Sequence, residues 1–191
     1  MNILVCVKQV PDTTEIKIDP VKHTLIREGV PSIVNPFDAC ALELAVRLKE
    51  KEGGNVYVVS MGPAQAKNAL KECLSVGADQ AFLVTDRAFG GSDTLATSYI
   101  LSRAIGKKTG GKIDVIFCGK QAIDGDTAQV GPEIAEHLDL PHATLATAVE
   151  MRDGKLRVTV DTDEGYDILE MAVPALVTVT KTTFDPRRPS I

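Results

Sequence analysis

Tryptophan is absent from the 191 residues, and only three tyrosines and five phenylalanines are present. A planar ligand finds little ring surface to stack on in such a chain, so polar and backbone contacts must do most of the holding. The four cysteines, Cys6, Cys40, Cys73 and Cys118, show no Cys-x-x-Cys spacing. Each sits in an apolar pattern, as reduced core thiols do, which points to a cytoplasmic protein. His23, His137 and His142 have no ligand spacing with one another or with the cysteines, and no metal site is expected. Positive charge is also scarce: 21 Lys and Arg stand against 26 Asp and Glu, a formal net charge of -5. Such a balance excludes nucleic acid and anionic lipid as partners, because those surfaces select clustered basic residues. Arg187-Arg188 is the one basic pair of note and reads as a solvated tail. The opening apolar run, Ile3 to Val7, is too short for a signal peptide and far too short for membrane insertion. No Gly-x-Ser-x-Gly elbow, no nucleophile beside a histidine and no Gly-x-Gly-x-x-Gly after the first strand is found, so no catalytic residues are expected.

What remains is the composition of an ordinary globular protein, 44% hydrophobic and 25% charged, long enough to bury a core without disulfides. Short β-branched runs at Ile3 to Val7, Asn55 to Ser60, Ala81 to Thr85 and Ile113 to Cys118 alternate with helical periodicity. That alternation predicts an α/β fold with a mostly parallel sheet and helices on both faces, Rossmann-like in architecture. The first helix is expected from Pro36, capped by Asn35, to Gly53-Gly54. The second follows Gly62-Pro63 with Ala66, Ala69, Leu70, Cys73 and Leu74 on one face. A third is capped by Ser92 or Asp93 and runs to about Lys108, and a fourth follows Asp126. Residues 15–27 read as a β-hairpin inserted on the sheet edge. After Pro141 the period changes to two. Thr144 to Glu150, Leu156 to Asp161, Tyr166 to Met171 and Ala175 to Thr180 are expected as an antiparallel β-meander. Residues 1–140 thus form the nucleotide-binding domain, 141–183 complete it, and 184–191 begin a C-terminal arm whose remainder is absent here.

In open parallel sheets ligands bind at the carboxyl ends of the strands. The loop from Gly119 to Gly131 leaves a buried strand and opens a helix, and its glycines, free N–H groups and Thr127 hydroxyl make an anion cradle. Asp124 and Asp126 oppose a phosphate unless they cap the helix or face a ribose, and plain helix capping is the competing account of this loop. A second strand-to-helix loop, Asp86 to Thr94, offers Arg87, Gly90-Gly91 and hydroxyls. It partly matches the phosphate loop of ATP pyrophosphatases, although Phe89 stands where a serine belongs. Asn35-Pro36-Phe37-Asp38 and Met61-Gly62-Pro63 converge on the same edge.

These residues resemble the electron-transfer flavoprotein beta subunit family over nearly the whole chain. The resemblance is carried by Val5-Cys6-Val7-Lys8-Gln9-Val10-Pro11-Asp12, Asn35-Pro36-Phe37-Asp38, Ser60-Met61-Gly62-Pro63 and Cys118 to Asp126 followed by Gln129 and Gly131. It implies an obligate heterodimer with a larger alpha subunit that carries a mobile FAD, the beta subunit itself burying AMP or a second FAD. The contacts it implies are Cys6, Asn35, Asp38, Met61, Asp124, Gly125, Asp126, Thr127, Ala128, Gln129, Val130 and Gly131. The stretch from Val84 to Ser98 is similar to the bifurcating branch and adds Arg87, Thr94 and Thr97. In that branch FAD occupies the beta site and NAD(H) is the electron donor. Electrons then pass to an acyl-CoA or related dehydrogenase and to ferredoxin or flavodoxin. The alternatives are an ordinary AMP-holding carrier serving acyl-CoA dehydrogenases, and a nucleotide sensor or hydrolase of similar architecture.

Overall fold

The computed structural model describes residues 1–12, 17–18, 25–26, 31–109 and 112–189, with the backbone alone at 17–18, 25–26 and 108–109. In chain order the strands and first helix are β1 (Asn2–Cys6), β2 (Gln9–Pro11), β3 (Lys17–Ile18), β4 (Leu25–Ile26), β5 (Ser32–Val34) and α1 (Pro36–Glu52). Then follow β6 (Asn55–Met61), α2 (Lys67–Ser75), β7 (Gln80–Val84), α3 (Thr94–Thr109), β8 (Val115–Gly119) and α4 (Val130–His137). The chain ends with β9 (His142–Arg152), β10 (Lys155–Thr162), β11 (Gly165–Met171) and β12 (Ala175–Val179).

One sheet of eight strands, ordered β11-β10-β9-β12-β8-β1-β6-β7, carries the fold. The pairings β9·β12, β12·β8, β8·β1, β1·β6 and β6·β7 are all parallel. Ile3, Val5, Val115 and Phe117 are fully buried, as strands covered on both faces must be. Helices α1 and α2 supply Leu42, Leu44, Leu70 and Cys73 to the core on one face. On the other, Leu101 and Ile105 of α3 and Ile134 and Ala135 of α4 pack against Leu4, Ile116 and Leu176. The chain leaves β1 toward one face and β8 toward the other, which opens a crevice between their carboxyl ends.

Several expectations need correction. The meander has three strands, not four: β9, β10 and β11 pair antiparallel, but β12 runs parallel between β8 and β9. Its residues Ala175-Leu176-Val177-Thr178-Val179 are all buried, and a run without alternation belongs to an interior parallel strand. The hairpin pairs Lys17 with Ile26 and Ile18 with Leu25 as expected. It is inserted between β2 and β5, which form a two-stranded sheet of their own, and not on an edge strand of the main sheet; its proposed turn at Asp19-Pro20 lies outside the described residues. Leu74 is 42% exposed, because at 100° per residue it sits about 80° round from Ala66, at the margin of the buried stripe.

Arg187 is not a solvated tail residue. Its N–H and Nε donate to Glu43 Oε2 at 3.0 and 2.8 Å, and Nη1 donates to Glu50 Oε1 at 2.7 Å. Arg47 donates to Glu43 Oε1 at 2.6 Å and lays its guanidinium over the Phe184 ring, 3.7 Å from the centroid. The segment after β12 is thereby strapped across α1. Burial alone raises the Glu43 carboxyl, but hydrogen bonds from Arg187 and Arg47 outweigh it and hold the group at about 2.

Arg187→Ala leaves the buried Glu43 carboxylate with Arg47 as its remaining cation, and because the Arg187 side chain is itself partly exposed the substitution is expected to cost roughly 1–2 kcal/mol near neutral pH. The folded value of Glu43 lies below the ordinary 4.5, so this stabilisation is complete above pH 4.5 and disappears as the pH falls toward 2. Urea midpoints of wild type and variant should therefore converge in acid; a gap of the same size at pH 7 and pH 2.5 contradicts the assignment.

Candidate functional site

The crevice at the carboxyl ends of β1, β6, β7 and β8 opens into a cavity of about 1150 Å³. At its centre stands Asp38, in the first turn of α1 and 7% exposed. Its Oδ2 accepts the N–H of Lys8 at 2.8 Å and its Oδ1 accepts the N–H of Gly119 at 3.0 Å. One carboxylate thus joins the two strand ends that diverge. Gly119 is glycine because a Cβ there would lie 2.7 Å from Phe37 Cβ. Burial pushes the Asp38 carboxyl up to about 7, against the hydrogen bonds from Lys8, Asn35 and Gly119 that favour its charge.

Asn35 stands at the N-cap position of α1 as expected, but its side chain makes no cap hydrogen bond. Its buried amide reaches across the crevice instead: Nδ2 donates to the Gln121 carbonyl at 2.8 Å, and Oδ1 accepts the Ile123 N–H at 3.2 Å. A donor and an acceptor on one planar group fit a loop that presents both, which a carboxylate or hydroxyl cap matches less well.

The 119–131 loop is longer than expected, since α4 begins at Val130 with Gln129 in the cap position. Asp126 does not cap this helix. It accepts from Gln121 Nε2 at 2.7 Å and adopts φ 50°, as Ala128 adopts φ 53°. Left-handed φ at two non-glycine residues flanking Thr127 is strained backbone of the kind that collects at binding sites, and φ of alternating sign turns successive N–H groups toward one concavity. Among the described residues, the N–H groups of Thr127, Ala128 and Gln129 donate to no protein acceptor. Asp124 points away: it forms an ion pair with Lys8 Nζ at 2.8 Å, and its charge is neutralised there. The anion cradle and the acidic residues that argue against it are therefore compatible.

The second loop joins the first. Asp86 and Asp93 spend their carboxylates locally, accepting the N–H of Ala88 and Ala96 at 2.9 and 2.8 Å. The Thr94 hydroxyl, expected to face a ligand, lies 3.1 Å from Gln129 Oε1 and 3.2 Å from Glu133 Oε1 and ties α3 to α4. Arg87 forms no ion pair among the described residues. Of the expected site residues, Cys6, Asn35, Asp38, Met61, Arg87, Thr94, Thr97, Gly125, Asp126, Thr127, Ala128, Gln129, Val130 and Gly131 line the cavity, and Asp124 does not. Sequence reasoning missed Lys8, Leu101 and Cys118, which also line it. Leu101 was legible in principle, since positions 94, 97 and 101 share one helix face.

The glycines differ in role. A Cβ on Gly131 would lie 2.5 Å from Thr178 Cγ2, whereas one on Gly125 would meet nothing within 4 Å. Gly131 lets α4 approach β12, and a bulky residue there disturbs packing; Gly125 is free of such a demand.

Residues 22–190 match the family described as "Electron transfer flavoprotein domain". The chain is 58% identical over 191 residues to the electron transfer flavoprotein subunit beta of Thermoanaerobacterium thermosaccharolyticum, covering 100% of this chain and 72% of that one. The chain belongs to the electron transfer flavoprotein family, as a beta subunit. It is also 52% identical to the caffeyl-CoA reductase-Etf complex subunit CarD of Acetobacterium woodii, over 100% of this chain and 72% of the relative. Protein FixA of Azotobacter vinelandii is 50% identical over 98% and 68% of the two chains. Among the described residues no helix of this beta subunit is long and apolar enough to cross a membrane.

Asp38 sets a pH dependence of its own. Its folded value of about 7 lies above the ordinary 3.8, so the folded protein holds the proton more tightly and gains stability as the pH falls from 7 toward 4. In the protein without nucleotide, Asp38→Asn should flatten this part of the stability curve while lowering stability overall, because its NH₂ faces an N–H donor. A slope between pH 5 and 8 identical to wild type rules Asp38 out as the titrating group.

Proposed function

We propose that this beta subunit holds FAD in the crevice between β1 and β8 and is the place where NAD(H) exchanges a hydride. With its alpha subunit it then passes electrons to an acyl-CoA or related dehydrogenase and to a ferredoxin or flavodoxin. The observation that carries the reading is the pairing of two anion-ready loops in one cavity. Residues 127–129 offer unused N–H groups, and Arg87, which lines the same cavity, forms no ion pair among the described residues. A single phosphate is served by the first loop alone; a pyrophosphate uses both, and charge-assisted hydrogen bonds from arginine are the strong kind. At about 1150 Å³ the cavity exceeds the roughly 300–1,000 Å³ of common small-molecule pockets, room enough for a dinucleotide.

The flavin supplies the hydride and one-electron chemistry when bound. The chain's own part is to hold and orient it. Cys6, Met61 and Val130 form an apolar floor, Asp38 and Asn35 fix the crevice walls, and the 124–131 loop and Arg87 take the phosphates. The relationship to a subunit of a caffeyl-CoA reductase complex favours a dehydrogenase of the acyl-CoA class as electron acceptor.

Purified alpha–beta complex should contain two flavins per pair. Arg87→Ala should weaken retention of the beta-site flavin by about 2 kcal/mol, roughly thirtyfold, and impair reduction in an anaerobic NADH titration. Gly125→Leu should empty the site without unfolding the protein, since its Cβ has open space. One flavin plus one AMP, with no reduction by NADH, returns the protein to the ordinary carrier branch.

The partner surface is read from the meander. Edge strand β11 exposes Tyr166 at 68%, Ile168 at 45% and Leu169 at 39%, and an exposed apolar edge needs a cover. The beta subunit expressed alone should self-associate or aggregate, and addition of the alpha subunit should prevent this. A stable monomer at micromolar concentration that does not respond to the alpha subunit contradicts obligate pairing.

A further inference from the structure

Cys6 and Cys118 face each other across the central strands, paired in register between β1 and β8. Neighbouring strands lie about 4.8 Å apart, and parallel register sends both side chains to the same face, where both thiols join the core beneath α3 and α4. That spacing falls within the roughly 4.4–6.8 Å between Cα atoms that a disulfide needs. Both residues also line the cavity, with 8% and 5% of their surface exposed. The other two cysteines provide a contrast. Cys40 and Cys73 belong to α1 and α2, pack on the opposite face of the sheet and do not line the cavity.

We propose that Cys6 and Cys118 form a dithiol that a peroxide closes to a disulfide while the cavity is open, and that a nucleotide lying over Cys6 shields it. The shielding half rests on the proposed nucleotide site; the dithiol half does not. Contact with the Cys6 thiol and burial push the Cys118 thiol well up, and Cys6, the more exposed of the two, meets the peroxide first. The Cys6 sulfur takes the terminal oxygen of hydrogen peroxide, and one water leaves. Cys118 sulfur then displaces that oxygen as a second water. Two S–H bonds are lost and one S–S bond forms; two electrons and two protons pass to the peroxide. The product staples β1 to β8 at the floor of the crevice. Its two sulfurs are then no longer free to adjust to a ligand, so oxidation and nucleotide binding oppose each other. A bond between directly facing strand residues departs from relaxed disulfide geometry, which keeps it reducible.

The test treats the alpha–beta complex, stripped of nucleotide, with hydrogen peroxide, followed by alkylation, digestion and mass spectrometry. The expected product is a peptide pair joining Cys6 to Cys118, lighter by two hydrogens and released by dithiothreitol. Cys118→Ser abolishes it, and the double variant Cys40→Ser with Cys73→Ser retains it. FAD present at ten times its dissociation constant should slow the linkage about tenfold, the factor by which it empties the open state. Absence of the linked pair, or Cys6 driven to sulfinic acid with Cys118 still free, overturns the dithiol. Linkage that proceeds equally fast with saturating FAD or AMP overturns the shielding and removes the nucleotide from above Cys6, while the dithiol stands.

Discussion

The crevice exists because one carboxylate holds its two sides together. Strands β1 and β8 are neighbours, yet the chain leaves them for opposite faces of the sheet, and nothing in the ladder itself determines how the departing segments lie. Asp38 does, by accepting one N–H from each at 2.8 and 3.0 Å. Its own position is set by α1, whose first turn packs so close to β8 that only glycine fits at position 119. A buried carboxylate that accepts two backbone donors is costly to dehydrate and strong once its partners are in place. Burial and these hydrogen bonds act on its charge in opposite directions, with burial the larger influence.

From that clamp the rest of the cavity is built by cross-links between loops, each made by a polar side chain that has left its expected local duty. Asn35 gives up capping α1 to hold Gln121 and Ile123. Thr94 bridges to Gln129 and Glu133, which links the two glycine-bearing loops. Lys8 removes the Asp124 charge from the cradle. Backbone strain at Asp126 and Ala128 is tolerated because these links determine the loop's path on both sides. The lining combines thiol and aliphatic groups of Cys6, Met61 and Val130 with the free N–H groups of residues 127–129, a mixture suited to a ligand with an apolar body and an anionic tail.

Much of this was legible in the residues. Strands β1, β6, β7 and β8 and the four helices announce themselves through apolar runs and period, and the order of loops on one sheet edge follows from their alternation. Local rules failed where a residue answers to something distant in sequence. Asn35 and Asp126 look like helix caps because capping is the commonest use of their side chains at such positions; their partners are set by the tertiary approach of loops. Arg187 looks like a solvated tail because its counter-charges, Glu43 and Glu50, are some 140 residues earlier on α1. Strand β12 looks like one more member of a meander because chain order suggests its neighbour, whereas burial at all five positions places it among the interior parallel strands.

The place of β12 has a consequence for how the protein is made. It lies between β8 and β9, and its Thr178 is the surface against which Gly131 brings α4 close. A growing chain that has emerged only as far as α4 presents a β8 whose outer edge is bare, and α4 can then pack on α3 and β8 but lacks the β12 part of its seat. The sheet closes only when residues 175–179 thread into their slot, and such long-range pairing is slow and leaves an aggregation-prone edge in the interval. Completion of the crevice is therefore a late event in folding, and until then the chain carries an open strand edge at the centre of its sheet.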